Sequence, residues 1–244
     1  MIDSAARASP RLKARLAGLF ELLEGVTSAG GQVFILGKIV VRGDAAATAA
    51  GILAHQPLLW LGFALSIIGV MFHLAWMLLF YELFKPVNRS LSQLALFVML
   101  VGCSVQALTC LLYVAPLLTL NGGISLSGLA AEQLQALAYV FVRLNAYAFN
   151  LYLVFFGLWC VLSGYLIFRS TFLPRIFGIL LMIDGLGWMT YLSPSLGVSV
   201  FPFIALASAV AELPLQLWLL VFGVNAQRWK EQASAGNATN GYPA

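Results

Sequence analysis

The chain has 244 residues, of which 61% are apolar and 9% are charged, and its mean hydropathy is +0.94. A soluble domain carries about 25% charged residues, so the composition excludes a soluble globular protein and predicts an integral membrane protein. The formal net charge of +4 does not indicate a nucleic-acid partner. The basic residues lie at the ends of apolar runs, as the positive-inside rule expects.

In chain order, the first predicted helix runs from about Leu12 to Ile39 and follows a polar start, residues 1–10, that we expect to be flexible. Asp44 is well placed as the N-cap of a short interfacial helix from Ala45 to His55. The second long helix is predicted from Pro57 to about Phe84, with its proline in the first turn, where the missing N–H does no harm.

The third helix is predicted from about Leu91 to Leu118. A continuous helical pattern then runs from Leu129 to Phe168, and about 40 residues at helical rise measure about twice the hydrocarbon thickness. We therefore expect its first third to lie in the interface or project from it, with a bend before the spanning part. The fifth helix is predicted to start at Pro174 and the sixth at about Pro202. Residues 228–244 turn polar and are predicted to be disordered.

The stretch from Tyr147 to Tyr191 predicts an antiparallel helical hairpin. Two apolar runs flank a seven-residue turn that begins at Arg169 and ends at Arg175. Arginines at a short turn place it in the cytoplasm. Most of the 13 Lys and Arg residues fall in segments that the same rule makes cytoplasmic. The prediction is an all-α polytopic membrane helical bundle over residues 11–227, with about six transmembrane helices and both termini cytoplasmic.

Polar residues recur at helical spacing inside the apolar runs. The first helix has a stripe that contains Glu21 and Glu24, and the second has one that ends at His73. The remaining helices contribute Gln106, Arg143, Asn150, Asp184, Ser208, Glu212 and Gln216. A charged group at mid-membrane is costly and usually faces the protein interior. Facing stripes would form a polar interior with Glu212 and Asp184 near its centre, suited to proton carriage or cation binding.

Each of these residues also has a structural interpretation. Glu21 and Glu24 would pair with Arg15 or Arg89 near the inner headgroups, Arg143 would extend to the outer surface, and His73 would be a hydrogen-bonded packing residue. Glu212 is the strongest functional candidate. Pro214, two residues beyond it, frees the carbonyl of Val210 and favours a kink at this point of the sixth helix.

Signals for an enzyme are weak. With two histidines in the chain, a multi-histidine zinc hydrolase is not supported. The sequence has no nucleophile elbow, no phosphate-binding glycine loop and no paired cysteines, and Cys103, Cys110 and Cys160 fit buried packing positions. It predicts no metal site and leaves the cofactor open; a carboxylate-rich site with one histidine is the alternative that a metal would use. Gly178, Gly185 and Gly187 predict close helix contact.

Several short motifs together resemble a known family. They are Gly43-Asp-Ala-Ala-Ala-Thr-Ala-Ala50, Lys85-Pro-Val-Asn88, Phe155-Phe-Gly-Leu158, Gly164-Tyr-Leu-Ile-Phe-Arg-Ser170, Leu173-Pro-Arg175, Gly185-Leu-Gly187 and Ala211-Glu-Leu213 with Trp218. They resemble the uncharacterised bacterial multi-pass family termed domain of unknown function 4386, over nearly the whole chain. The resemblance implies a protein of the bacterial inner membrane with no assigned activity, and Glu212 matches its motif.

Three functions remain open at this stage. The leading hypothesis is a protein that binds or translocates a small solute or ion at a polar intramembrane site with Glu212 and Asp184. The second is a membrane enzyme that uses carboxylates and His73 on a lipid-borne substrate. The third is a non-catalytic sensor or interaction subunit. The lipid bilayer is the one partner that the sequence requires, and the oligomeric state is left open.

Overall fold

The computed structural model describes residues 9–122, 126 and 128–239, and within these the chain is helical with no strand. Most of the start that we predicted to be flexible, and residues 240–244, lie outside them. The helices of the described residues are α1 (Pro10–Ile39), α2 (Ala45–Ala54), α3 (Gln56–Phe84), α4 (Arg89–Leu120), α5 (Ala131–Arg169), α6 (Arg175–Met189, extended by a 3₁₀ turn Thr190–Leu192), α7 (Pro194–Val221) and α8 (Ala226–Thr239).

Six of these helices are long and apolar enough to cross a membrane, namely α1, α3, α4, α5, α6 with its 3₁₀ turn, and α7. The predicted all-α class and the number of spanning helices are confirmed. The short helix α2 begins where Asp44 predicted it, because the Asp44 side chain accepts a hydrogen bond from the Ala47 N–H at 2.8 Å. Pro174 likewise occupies the N-cap position of α6.

Three helices differ from the prediction. The last span begins at Pro194 rather than at Pro202, which lies inside α7. Ser193 and Pro194 form a helix start as good as the one we chose, so the local signal was ambiguous. Helix α5 is one continuous α-helix of 39 residues, with no break where a bend was predicted. Helix α1 contains an unpredicted π-helical segment, Ala29–Ile35.

The C-terminal residues that we predicted to be disordered form α8 as far as Thr239. Long-range hydrogen bonds hold this helix to other parts of the chain. Trp229 Nε1 donates to the Leu83 carbonyl at 2.8 Å, and Arg228 Nη1 donates to the Thr171 carbonyl at 3.3 Å. Composition gave no sign of these contacts, because they are made by single side chains rather than by an apolar face.

A single membrane domain was expected over residues 11–227, and within the chain two compact units can be distinguished. Unit 1 comprises residues up to Leu22, Phe72–Gly102 and the chain from Leu153 onward; unit 2 comprises Leu23–Met71 and Cys103–Tyr152. The core of unit 1 is aromatic and includes Trp76, Phe80, Phe84 and Trp159, with the Trp76 and Trp159 ring centroids 4.5 Å apart. The core of unit 2 is mainly aliphatic and contains Ile35, Ile39, Ile52, Leu59, Tyr113 and Leu117.

Within unit 1, α5 and α6 pack with their backbones in close contact. A Cβ atom added at Gly164 would lie 2.7 Å from the Gly178 carbonyl oxygen, and one added at Gly157 would lie 2.6 Å from that of Gly185. Such distances leave no room for a side chain, so glycine is required for this approach. The predicted close contact is confirmed at Gly178 and Gly185. At Gly187 a Cβ would make ordinary contact with Ile204, at 3.5 Å.

Candidate functional site

A pair of carboxyl groups lies between α6 and α7 in unit 1. Asp184 is fully buried, and its Oδ1 accepts a hydrogen bond from Ser208 Oγ at 2.5 Å. Glu212, one turn after Ser208, lies within hydrogen-bonding reach of the Asp184 carboxyl group. Trp188 Nε1, one turn after Asp184, is 3.4 Å from Glu212 Oε1. Asp184 and Trp188 are four residues apart on α6, and Ser208 and Glu212 are four residues apart on α7. Each pair therefore lies on one face of its helix, and the two faces are in contact.

The local sequence explains how Asp184 comes to be buried. Gly185 follows it directly and contacts Gly157 and Cys160 of α5, so no side chain separates the two helices at this level. Cys160 and Glu21 border the carboxyl pair, and Glu21 is also buried. Proline at position 214 cannot donate a backbone hydrogen bond, so the last turns of α7 lack one helical hydrogen bond close to Glu212.

The electrostatics of the pair are unbalanced. No basic side chain of the described residues forms an ion pair with Asp184 or Glu212; Lys13 and Lys85, for example, pair with Glu82 instead, at 3.1 and 2.7 Å. Asp184 Oδ2 is buried and accepts no hydrogen bond from another described residue. Two carboxyl groups in contact, one fully buried and the other half-buried, cannot both be ionised without a large cost in free energy. The arrangement thus calls for a proton or another cation.

A second polar group, in unit 2, is built differently. Glu24 Oε1 accepts hydrogen bonds from Ser28 Oγ at 2.7 Å and from Gln106 Nε2 at 3.2 Å. Gln106 is buried and also lies 3.3 Å from Ser28 Oγ. We call Glu24, Ser28 and Gln106 the Glu24 cluster, and Asp184 with Glu212 the carboxyl pair. In the Glu24 cluster a hydroxyl and an amide supply donors to the carboxylate.

The other predicted site residues lie in different surroundings. The His73 ring is fully buried and packs against Trp76 and Phe156, with centroid distances of 4.7 and 6.3 Å. Arg143 is exposed and donates to Tyr147 Oη at 3.1 Å. Asn150 is half-buried in unit 2, and Gln216 is buried one turn beyond Glu212.

The predicted polar residues fall in both compact units. Asp184, Ser208 and Glu212 come together in unit 1, and Glu24 and Gln106 come together in unit 2, to which Arg143 and Asn150 also belong. Trp188 and Cys160 were missed as neighbours of the pair. Trp188 had one usable signal, since it lies four residues from Asp184 and so on the same face of the helix.

The donor and acceptor groups at the carboxyl pair indicate which kind of ligand it suits. Among the described residues, no group of three or more His, Cys, Asp or Glu side chains is arranged to hold a metal ion. The converging groups at the carboxyl pair are two carboxyl groups, one hydroxyl and one indole N–H. These donors and acceptors suit proton exchange.

Six apolar spanning helices define the molecule as a multi-pass integral membrane protein. A family model described as a domain of unknown function (DUF4386) matches residues 16–223, and the chain belongs to this family. No curated protein and no solved structure matches the chain significantly.

Proposed function

We propose that the protein binds a proton, or a small cation in its place, at the carboxyl pair and carries it, or a solute coupled to it, through the membrane. The observation that supports this is the fully buried Asp184 in contact with Glu212, with no basic partner among the described residues. An ionisable pair inside a membrane protein is costly, and such groups commonly lie on ion or proton pathways. We also propose that the protein lies in the bacterial cytoplasmic membrane, as its family resemblance implies, and that both termini are cytoplasmic, as the distribution of Lys and Arg along the chain favours.

The position of the pair supports exchange rather than permanent storage. Helix α7 contains Pro202 and Pro214, and each proline leaves a backbone carbonyl without its helical donor. We infer that a proton or cation reaches Asp184 through Glu212, because Glu212 is the less buried of the two contacting groups. Ser208 then holds Asp184 Oδ1 in place and leaves Oδ2 for the exchange.

The first test is spectroscopic and uses the whole protein in liposomes. Infrared difference spectra should show a protonated carboxyl C=O band at neutral pH that shifts on exchange into D₂O. The band should disappear in the double variant Asp184→Asn, Glu212→Gln. Glu132→Gln removes an exposed carboxylate at the start of α5 and should leave the band unchanged. A band that survives the double variant would contradict the proposal.

The second test measures flux. Proteoliposomes that contain a pH-sensitive dye should acidify faster than empty liposomes when a membrane potential is imposed, either alone or with a library of small solutes. The double variant should lower this rate by about tenfold or more, the change that a barrier increase of about 1.4 kcal/mol produces. Equal rates for wild type and double variant under every condition would mean that the pair carries nothing. Replacement of the proton by Na⁺ would show as a rate that depends on Na⁺ rather than on pH.

A further inference from the structure

An open cavity of about 600 Å³ lies in unit 1, between the α5–α6 turn and α8. One wall comes from the turn and includes Thr171 and Arg175, and the opposite wall comes from α8 and includes Arg228, Glu231 and Gln232. The cavity shares no lining residue with the carboxyl pair, and its charge differs, because two arginines and one glutamate line it. Its volume is within the range of small-molecule sites.

Hydrogen bonds fix the two walls relative to each other. Gln232 Oε1 accepts from both the backbone N–H and the hydroxyl of Thr171, each at 3.0 Å. Arg228 Nη1 donates to the Thr171 carbonyl at 3.3 Å, and Gln232 Nε2 lies 3.5 Å from the Arg169 carbonyl. The cavity is therefore a built feature of the fold, with its shape set by contacts between the turn and the C-terminal helix.

The charge in this cavity is not neutralised by ion pairs. Arg175 and Arg228 are exposed, and neither forms an ion pair among the described residues. Arg175 lies over the Phe168 ring, with its Cζ 5.7 Å from the centroid, which leaves the edges of the guanidinium group available. Glu231 also lines the cavity, and its Oε1 accepts from Gln227 Nε2 at 2.8 Å.

Two arginines that converge on one open cavity suit an anion with planar oxygen pairs, above all a phosphate group, because guanidinium binds phosphate through two parallel hydrogen bonds. The α5–α6 turn joins two spanning helices and so lies where a bilayer places its headgroups. We propose that this cavity binds the phosphate of an anionic phospholipid headgroup. Basic pockets beside spanning helices are suited to such headgroups.

The test uses native mass spectrometry of the whole protein, stripped of lipid in detergent and then given phosphatidylglycerol or phosphatidylcholine. The wild type should retain phosphatidylglycerol preferentially. The double variant Arg175→Gln, Arg228→Gln should reduce this retention by about tenfold or more, the equivalent of one charge-assisted hydrogen bond. Arg89→Gln is the matched control, because Arg89 is also an exposed first residue of an apolar helix but does not line the cavity.

A second variant keeps the experiment decisive if the first one unfolds. Arg175→Lys, Arg228→Lys preserves the charge but not the paired hydrogen bonds, so it should retain phosphatidylglycerol at a level between the wild type and the glutamine variant. Equal retention of both lipids by the wild type, or equal loss with Arg89→Gln, would overturn the proposal. Displacement of the lipid by millimolar inorganic phosphate, with the same dependence on Arg175 and Arg228, would overturn the lipid as the source and assign the site to a soluble phosphate compound.

Discussion

The carboxyl pair and the Glu24 cluster put the same kind of group, a carboxyl inside a spanning helix, into opposite situations. In the Glu24 cluster, Ser28 and Gln106 both donate to the acidic side chain. In the carboxyl pair, Asp184 has one donor at Oδ1 and faces a second acid, Glu212. The comparison teaches that an intramembrane acid has to be interpreted from the groups that it contacts. Two donors favour a structural role, and contact with a second acid favours proton exchange.

The largest expected effect comes from crowding the backbone beside each group. A Cβ at Gly185 would meet the Gly157 carbonyl and lie 2.9 Å from the Val161 N atom, whereas one at Gly69 would meet the hydroxyls of Thr27 and Ser28 at 3.0 Å. Backbone atoms cannot move away from an added Cβ, whereas the side chains of Thr27 and Ser28 can change their rotamers. We expect Gly185→Ala to reduce the free energy of unfolding by about 2–3 kcal/mol, and Gly69→Ala by less than about 1 kcal/mol.

Thermal unfolding in a mild detergent measures both variants. Gly187→Ala is a control on the same helix as Gly185, since its Cβ would make only ordinary contact with Ile204. Equal losses at Gly185 and Gly187 would show that the α5–α6 contact is looser than described.

One substitution can give the Glu24 cluster the two adjacent acids that characterise the carboxyl pair. Gln106→Glu would place a second carboxyl beside Glu24 and remove the amide donor, so the infrared spectrum of the variant should show a new protonated carboxyl band in addition to that of the carboxyl pair. The lost hydrogen bonds should reduce stability by about 1–2 kcal/mol. Gln133→Glu, at an exposed position near the start of α5, should add no such band. Absence of a new band in Gln106→Glu would mean that contact between two acids is not what retains the proton.

A smaller effect is expected from the hydroxyl that supports Asp184. Ser208→Ala removes the donor to Asp184 Oδ1, and a single side-chain hydrogen bond between membrane helices contributes about 0.6–1.7 kcal/mol. Ser199→Ala is the matched control on α7, because Ser199 is exposed and bonds to the Leu196 carbonyl of its own helix. Unfolding in detergent should separate the two variants, and identical stabilities would remove Ser208 from the site.

The smallest effect should follow from Trp188→Phe. The indole N–H is 3.4 Å from Glu212 Oε1, a distance at which a hydrogen bond is weak. We expect a loss of less than about 0.5 kcal/mol, with a small shift of the protonated carboxyl band. A loss as large as that of Ser208→Ala would show that Trp188 is the principal donor to the pair.

Much of the fold could be predicted from local sequence. The six apolar helices, the Asp44 cap and the start of α6 after Pro174 were correct because each depends on residues adjacent in the chain. The start of α7 was wrong because two prolines met the same local rule, and α8 was missed because its support comes from Leu83 and Thr171, far away in the sequence.

The site could be predicted only in part, for a related reason. Helical spacing shows which face of a helix is polar, and it placed Asp184, Ser208 and Glu212 on such faces. It does not show which helix lies opposite, so it did not indicate that Asp184 contacts Ser208 and Glu212 whereas Glu24 contacts Gln106. Contact between two acids, rather than between an acid and an amide, depends on rotation and depth of both helices, and these are set by close packing at residues such as Gly185.

The glycine contacts between α5 and α6 make the two sides of the carboxyl pair unlike. Those two backbones touch at Gly157 with Gly185 and at Gly164 with Gly178, so a side chain at any of these positions would force the hairpin apart. Helix α7, on the other side, has two internal prolines, each of which leaves a backbone carbonyl without its helical donor. The pair therefore lies between a hairpin whose packing depends on glycine and a helix whose hydrogen-bond ladder is interrupted twice.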